Sequence, residues 1–275
     1  MDINEKNTLI EKCRQVRYDT VDCIGTLGVG HFGGSLSVVE ALTVIFFRHM
    51  RIDPRNPKKE GRDRFVLSKA HAGPTLYAVL AGKGFFERDL LYTLNKPDTS
   101  LPSHADMNLT PGVDMTAGSL GQGLSCAVGI AIGSRIKKDG ARVYAVIGDG
   151  ESHEGQIWEA AMFAAHQKLD NLIAFCDYNK MCIDGEIKDI LNIEPLIDKW
   201  RAFGWNVSEC DGHDACAIDS AIVKAKEVKG MPSMIILHTH KGKGVSFIEE
   251  NWKNNHNVAL TPEQHAQALA ELEKR

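Results

Sequence analysis

Short apolar runs alternate with helical patterns from Arg64 to about Gly244 in this chain. The runs and the polar segments that end them read FVLS, RVYAVIGDG, NLIAFCDYN, GWNVSECDG and SMIILHTHKGKG. Such alternation is typical of βαβ units, in which parallel strands form one sheet and helices cover both of its faces. The sequence therefore predicts an α/β fold with a mostly parallel central sheet and helices on both faces.

Outside these runs, apolar residues recur at helical spacing in the opening segment and again from Leu36 to about Met50, which predicts two helices. The segment GVGHFGGS between them predicts a loop. No internal repeat, low-complexity segment or linker divides the sequence. We expect a single domain over residues 1–275, with a peripheral C-terminal helix at about 262–275.

Composition excludes several functional classes. A formal net charge of −4 gives no global electrostatic reason to bind nucleic acid. The longest apolar runs, such as AVGIAIG, are far shorter than a membrane span, and the first thirty residues are too charged for a secretory signal. The seven cysteines form no CxxC pair, which argues against a disulfide framework or a zinc ribbon. We expect a cytoplasmic protein without nucleic-acid or membrane partners.

The segment GDG that ends the second run suggests a ligand site. Ligands of parallel sheets bind at the carboxyl ends of strands, and Asp149 lies at such an end. Asn179 ends the next run, 179 − 149 = 30 residues later. The two side chains could bind Mg²⁺ together with ligand phosphates, and the N–H of Gly150 could face a phosphate oxygen.

Other interpretations of this segment are weaker or remain open. GDG could be an ordinary βα turn with Asn179 as a turn residue. A nucleotide site is poorly supported, because neither GxGxxG nor GxxxxGK[ST] occurs. A zincin site is excluded, since the pattern that begins at His153 would need a second histidine where Ile157 stands.

Five ordered blocks, together with Asp149 and Asn179, make the chain similar to transketolases. The blocks are GHFGGSLS, DRFVLSKAHA, LPSHAD, TAGSLGQG and GDGESHEG. The resemblance covers nearly the whole chain, and the chain is identified as a member of this family of thiamine diphosphate enzymes. It implies the thiamine diphosphate-binding fold, here as the N-terminal domain that binds the diphosphate, with thiamine diphosphate and Mg²⁺ as cofactors.

The resemblance also implies roles for individual residues near the cofactor. Asp149, Asn179 and the backbone carbonyl of Met181 would bind Mg²⁺. The N–H of Gly150 would contact the diphosphate. Further cofactor contacts would come from Gly118 and Leu120 beside the aminopyrimidine, from His71 and His256 at the diphosphate or reacting groups, and from Glu154 near a subunit interface.

Four histidines would act on the substrate by the same resemblance. Three of them, His31, His71 and His104, line a funnel above the thiazolium, where they orient donor hydroxyls and move protons. The fourth, His256, lies at the diphosphate or beside the reacting groups. Imidazole titrates nearest neutral pH, which suits it to proton transfer from a hydroxyl. Departures from the family pattern at Phe32, Ala70 and Ser119 affect the shape of the funnel.

Other polar residues are expected to be structural or solvated. Lys241 and Lys243 follow the last strand and resemble solvated turn lysines, although they could offset cofactor charge. No role is assigned to the histidines at positions 153, 166, 213 and 265, and those at 238 and 240 stay open.

The implied activity is transfer of a two-carbon ketol unit between ketose and aldose phosphates, as in the pentose phosphate pathway. Thiamine would supply the electron sink that the protein lacks. One alternative keeps the fold and cofactor but uses another sugar, such as a sulfosugar or branched sugar, or a deoxyxylulose phosphate synthase-like condensation. Another alternative is a non-catalytic cofactor-binding half.

A partner subunit is also implied. Full-length transketolases are more than twice as long as this chain, and their pyrimidine-binding domain supplies the carboxylate that drives ylid formation. We therefore expect a split enzyme, in which a separate C-terminal transketolase subunit carrying that domain completes the active site. The expected assembly is α2β2, with sugar phosphates as substrates.

Overall fold

The computed structural model describes residues 1–274, whose strands form one main sheet and one small ribbon. In chain order the strands are β1 (Val29–Gly30), β2 (Arg64–Leu67), β3 (Val143–Gly148), β4 (Leu172–Tyr178), β5 (Asn206–Asp211), β6 (Ser233–His238) and β7 (Val258–Ala259). Strands β2 to β6 are parallel in the order β2-β3-β4-β6-β5, whereas β1 pairs antiparallel with β7. The predicted parallel central sheet is confirmed.

Helices cover both faces of this sheet. In chain order they are α1 (Ile3–Leu27), α2 (Phe32–Leu36), α3 (Val39–Val44), α4 (Gly73–Lys83), α5 (Gln122–Lys137), α6 (Gly155–His166), α7 (Ile187–Ile190), α8 (Leu196–Ala202), α9 (Ala215–Glu227), α10 (Ser246–Glu250) and α11 (Pro262–Glu273). One face is covered by α1, α3, α4 and α9, and the other by α5, α6 and α8. The predicted α/β class is therefore confirmed.

The central strands are apolar throughout because both of their faces are buried. In β3, Tyr144 and Val146 pack into the cluster that includes α1, α3 and α4, whereas Val143, Ala145 and Ile147 pack into the cluster on the other face. Successive side chains of a strand point to opposite faces, so each face receives every second residue. A strand buried on both sides reads as a continuous apolar run, as the sequence showed.

The predicted second helix is confirmed over most of its length, because α3 continues directly into a π-helical turn at Ile45–His49, although it begins at Val39 and not at Leu36. The predicted loop before it is corrected, since that region contains β1 and α2. Every residue of α2 is buried, so no polar face marks it as a helix in the sequence. A Cβ at Gly33 would lie 2.4 Å from Asn255 Oδ1, which explains why glycine stands there.

Helix α11 packs along α1 and buries Ala268. A capping box starts it, because Thr261 accepts from the N–H of Gln264 and the Gln264 side chain accepts from the N–H of Thr261. In residues 1–274, no helix combines the length and the apolar character needed to cross a membrane. All seven cysteines are free thiols.

A buried histidine lies at the end of the π-helical turn, away from the carboxyl edge of the sheet. His49 Nδ1 is 2.9 Å from Lys226 Nζ, and His49 Nε2 is 2.9 Å from Asp219 Oδ1. Burial, reinforced by the charge of Lys226, lowers the pKa of His49 to about 4 against the opposing effect of Asp219. The folded protein therefore keeps His49 neutral.

This burial makes stability depend on pH. The unfolded chain protonates His49 near its ordinary pKa of 6.5, but the native state does so only near 4, so stability is lost as pH falls from 6.5 to 4. Between pH 7 and pH 5, His49 should lower the free energy of unfolding of the wild type by about 2 kcal/mol. We expect this part of the decrease to be absent in His49→Gln. Urea unfolding at both pH values measures it. The exposed His166→Gln is the control, and an unchanged drop in His49→Gln would contradict the assignment.

Candidate active site

A cavity of about 340 Å³ opens at the carboxyl edge of the main sheet. Segments that follow β2, β3, β4 and β6 line it, as expected for a ligand site in a parallel sheet. Every site residue that the sequence predicted lies on its wall: His31, His71, His104, Gly118, Leu120, Asp149, Gly150, Glu154, Asn179, Met181 and His256. The fold thus brings together side chains from widely separated parts of the sequence.

The four predicted histidines form one cluster on this wall. The ring centroid of His31 lies 5.9 Å from that of His71, 5.6 Å from His104 and 5.2 Å from His256. The rings of His71 and His256 are 4.9 Å apart. A small hydroxylated ligand in the cavity would therefore meet several imidazoles at once.

Packing around His71 explains the glycine-rich start of α2. A Cβ at Gly34 would lie only 2.5 Å from His71 Nε2, so a side chain there would displace the ring. His71 itself lies in the short helical turn Ala70–Ala72 after β2, and His31 precedes α2. Gly34 therefore allows two segments distant in sequence to place His31 and His71 on one wall.

The cluster is neutral at physiological pH. Burial is the main cause for all four rings, and it lowers the pKa of His256 to about 3 with help from Lys241. The pKa of His71 is well below its ordinary value because of burial and the charge of Lys69. Burial also lowers the pKa of His31 and of His104. Neutral imidazoles can accept a proton or a hydrogen bond from a hydroxyl.

Oxygen donors lie at the base of the cavity. The Asp149 carboxylate accepts from the Gly150 N–H at 2.8 Å and from the Lys180 N–H. Asn179 Oδ1 accepts from the Met181 N–H at 3.1 Å, which folds the segment after β4 back toward Asp149. Burial and the neighbouring Asp177 raise the pKa of Asp149 to about 7, so a bound cation would favour its ionised form.

This donor set fits Mg²⁺. Asp149, Asn179 and the Met181 carbonyl offer only oxygen, the donor that Mg²⁺ prefers, and leave positions for phosphate and water. A Cβ at Gly150 would lie 2.9 Å from Cys182 Cβ, so the segments carrying Gly150 and Met181 already touch there. Among residues 1–274, no group of three His, Cys, Asp or Glu side chains could hold a metal.

Lys241 corrects an expectation from the sequence. It was expected to be a solvated turn lysine, but it is 4% exposed and lines the cavity. Its Nζ donates to the Cys182 carbonyl at 3.4 Å, and burial together with Lys69 lowers its pKa to about 8. Gly242 has φ +89°, which turns the chain sharply so that Lys241 points inward. Lys243, in contrast, pairs with Glu249 at 2.9 Å at the surface.

Glu151 is a buried residue of the site that the sequence analysis missed. Its Oε1 accepts from the Gly121 N–H at 2.9 Å and from the Ser68 hydroxyl, and its Oε2 accepts from the Gly148 N–H at 3.0 Å. One carboxylate thus joins β3 to the loop that carries Gly118 and Leu120. Glutamate is rarely buried unless it is paired or hydrogen-bonded, so its type did not predict burial. The only signal for Glu151 in the sequence was its position directly after GDG.

The histidines without an assigned role differ in their surroundings. His153 was expected to be solvated or structural, but it lines the cavity, and its Nε2 is buried without a hydrogen bond among residues 1–274. His213 Nδ1 lies 3.1 Å from the Glu40 carboxylate, and its Nε2 accepts from the His240 N–H. His213 is therefore structural, as expected.

Comparison with known proteins places this architecture in a family. The family model described as "Transketolase, thiamine diphosphate binding domain" matches residues 6–273. The chain is 58% identical to the 6-deoxy-6-sulfo-D-fructose transketolase subunit of Clostridium sp. (strain MSTE9), over 94% of both chains. It is 38% identical to one of the subunits of the apulose-4-phosphate transketolase of Phocaeicola vulgatus, over 98% of this chain and 95% of that protein.

Solved structures agree with these sequence relatives. The transketolase of Campylobacter jejuni superimposes with a TM-score of 0.90 at 29% identity, over 99% of this chain. The match covers 43% of that chain, so this protein spans less than half the length of that transketolase.

The close approach at Gly150 predicts a selective loss of ligand binding. We expect Gly150→Ala to push the Cys182 segment aside and to weaken binding of thiamine diphosphate with Mg²⁺ about ten- to hundredfold. Calorimetric titration measures this. Gly155→Ala is the matched control, because a Cβ there meets nothing within 4 Å. Equal affinity of the two variants would contradict the assignment.

The neutral cluster predicts an unusual titration. We expect the ligand-free protein to protonate the His256 ring only near pH 3 and the His71 ring at a pH well below 6.5, because burial and nearby lysines oppose protonation. Imidazole NMR signals followed between pH 8 and pH 4, and assigned with single His→Asn variants, measure this. A midpoint near 6.5 for either ring would show that it is solvated.

Proposed function

The chain belongs to the family of transketolase thiamine diphosphate binding domains, and we propose that it is one subunit of a thiamine diphosphate- and Mg²⁺-dependent transketolase. The observation that carries this proposal is one cavity whose wall holds both the cluster of four histidines and the oxygen donors of Asp149, Asn179 and Met181. Proton-transfer groups and a cation site beside one another are what a ketol transfer requires.

The base of the cavity would hold the cofactor. Asp149, Asn179 and the Met181 carbonyl would bind Mg²⁺, and the Gly150 N–H would donate to the diphosphate. The Lys241 ammonium faces the same space and would neutralise part of the diphosphate charge. When bound, thiamine supplies the electron sink for cleavage of a carbon–carbon bond next to a carbonyl.

The wall of the cavity would act on the sugar. His31, His71, His104 and His256 would bind the donor hydroxyls, and a neutral imidazole would take the proton of the hydroxyl whose carbon becomes the new aldehyde. Because burial lowers the pKa of these rings, a protonated ring would readily give its proton to the acceptor sugar in the second half of the transfer. Each correctly placed acid or base contributes on the order of 10²–10⁴ in rate.

A second polypeptide would complete this site. Exposed apolar side chains flank the cavity, and Ile183 and Ile190, which line it, are 63% and 48% exposed. Leu109 on a neighbouring loop is 52% exposed. Such patches mark interaction surfaces. Two relatives that match over nearly their full length are named as transketolase subunits, which supports a partner subunit. We propose that this partner carries the pyrimidine-binding domain, that Glu154 lies near the interface and that the assembly is α2β2.

The donor sugar that we propose is 6-deoxy-6-sulfo-D-fructose. Identity of 58% to a polypeptide named for that sugar, against 38% to one named for apulose 4-phosphate, supports this choice. Removal of carbons 1 and 2 from this six-carbon ketose leaves a four-carbon aldose that keeps the terminal sulfonate. The ketol unit passes to an aldose phosphate, which becomes a ketose phosphate two carbons longer.

The assay uses this chain alone and mixed with a candidate C-terminal transketolase subunit of the same organism, with thiamine diphosphate, Mg²⁺ and glyceraldehyde 3-phosphate. We expect only the mixture to release the four-carbon sulfonated aldose, with a higher kcat/KM for sulfofructose than for apulose 4-phosphate or xylulose 5-phosphate. A mixture made with Asp149→Ala should be inactive, because the cation loses its carboxylate.

Each contrary result overturns a different part of the proposal. A higher kcat/KM for a sugar phosphate would overturn the choice of donor. Turnover by the chain alone would overturn the need for a partner, and no turnover of any donor would overturn the transketolase activity.

A further inference from the structure

A buried carboxylate beside the proposed cation site has no part in the function above. Asp177 lies in β4, two residues before Asn179, and is 0% exposed. Four donors from different segments surround it. They are the Lys69 ammonium, the Ser37 hydroxyl at 2.6 Å, the Thr239 hydroxyl and the Asn179 amide nitrogen at 2.9 Å.

Lys69 is the charged partner of this carboxylate. It is 1% exposed, and its Nζ donates to Asp177 and to the Gly34 carbonyl at 2.9 Å. With this ammonium and two hydroxyls donating to it, Asp177 is held as an ionised carboxylate that accepts hydrogen bonds. A buried ion pair often contributes no more stability than apolar side chains of the same volume. Stability alone therefore gives a weak reason for placing these two charges here.

The geometry of Asn179 supplies a stronger reason. An ionised carboxylate only accepts hydrogen bonds, so the group that Asn179 turns toward Asp177 must be its NH₂. The carboxamide is planar, and its oxygen then faces the other way, toward the Met181 N–H and the cavity. A flipped amide would present NH₂ to a cation and would leave two oxygens facing each other at Asp177.

We propose that Lys69 and Asp177 are positioning residues that fix the Asn179 carboxamide with its oxygen toward the cation. The inference rests on the proposed function, because it concerns the same Mg²⁺ site. Lys69 holds the Asp177 carboxylate, and Asp177 orients Asn179. Groups that orient a metal ligand from behind typically change metal affinity by 10- to 100-fold when they are replaced.

The test removes both charges together. In Lys69→Met/Asp177→Asn, no buried charge is left without a partner, so the fold is kept. Asn at position 177 can donate as well as accept, and it no longer dictates which way Asn179 turns. We expect Mg²⁺ affinity in the presence of thiamine diphosphate to fall 10- to 100-fold, measured by calorimetry. The melting temperature of the ligand-free protein should change little.

A matched control makes the same chemical change elsewhere. Arg62 and Asp114 form a partly buried pair at the amino end of β2, where Asp114 accepts from the Phe65 N–H at 2.9 Å and lies 3.8 Å from the partly exposed Arg64. Arg62→Met/Asp114→Asn should keep the wild-type Mg²⁺ affinity. Should the first double variant not fold, Lys69→Gln/Asp177→Asn carries the same test, because it also removes both charges and keeps hydrogen-bonding groups at both positions.

Two further readouts separate positioning from a general structural role. In the complete enzyme, saturating Mg²⁺ should restore kcat in Lys69→Met/Asp177→Asn while the Mg²⁺ concentration for half-maximal rate stays raised. In an Asn179→Ala background, adding the two substitutions should cause no further loss of Mg²⁺ affinity, because they act through Asn179.

The outcomes distinguish the two proposals. If the wild-type chain with its partner binds no Mg²⁺ with thiamine diphosphate, the proposed function is wrong. If the wild type binds and Lys69→Met/Asp177→Asn binds equally well, only the positioning inference is overturned. A loss of affinity equal to that of the control pair, or one that persists in the Asn179→Ala background, also overturns it.

Discussion

The register of the parallel strands decides where the oxygen donors at the base of the cavity lie. Gly148 at the end of β3 pairs with Asp177 of β4, and Tyr178 pairs with His238 of β6. Residues that follow these pairs therefore emerge side by side at one edge, which brings Asp149 next to Asn179. The strands hold this register because alternate side chains fill two separate apolar cores, and a slip of one residue would exchange the faces.

The buried charged groups at this edge of the sheet shift one another's pKa values. Lys69 keeps Asp177 ionised, while the pKa of Asp149 is raised by burial and by Asp177, so the two carboxylates differ although they are neighbours. Lys69 and burial keep His71 neutral beside them. The same low-dielectric surroundings thus produce an anion stabilised by a buried lysine, a carboxylate whose ionised form a bound cation would favour, and uncharged imidazoles that can exchange protons.

Local signals in the sequence predicted the sheet, Asp149, Gly150 and Asn179, whereas the histidines and the other cavity residues followed from the resemblance to transketolases. Apolar runs that end in polar residues mark buried strands, and motifs such as GDG mark their carboxyl ends. Helix α2 was missed because it is short, glycine-rich and wholly buried, so it has no polar face. The burial of Lys69 and Lys241 was missed for another reason. Lysine is usually solvated, and the partner that buries Lys69 lies 108 residues away in sequence, at Asp177.

The central claim is that Asp149, Asn179 and the Met181 carbonyl form a cation site at the foot of the histidine cluster. A crystal structure of the chain with thiamine diphosphate and Mn²⁺, a spectroscopic substitute for Mg²⁺, tests it directly through anomalous scattering. The account predicts one strong anomalous peak bounded by these three oxygen donors, at roughly 2.0–2.3 Å from each. A peak bound instead by the imidazoles of His31, His71 or His256, or no peak in a crystal that contains the cofactor, would contradict it.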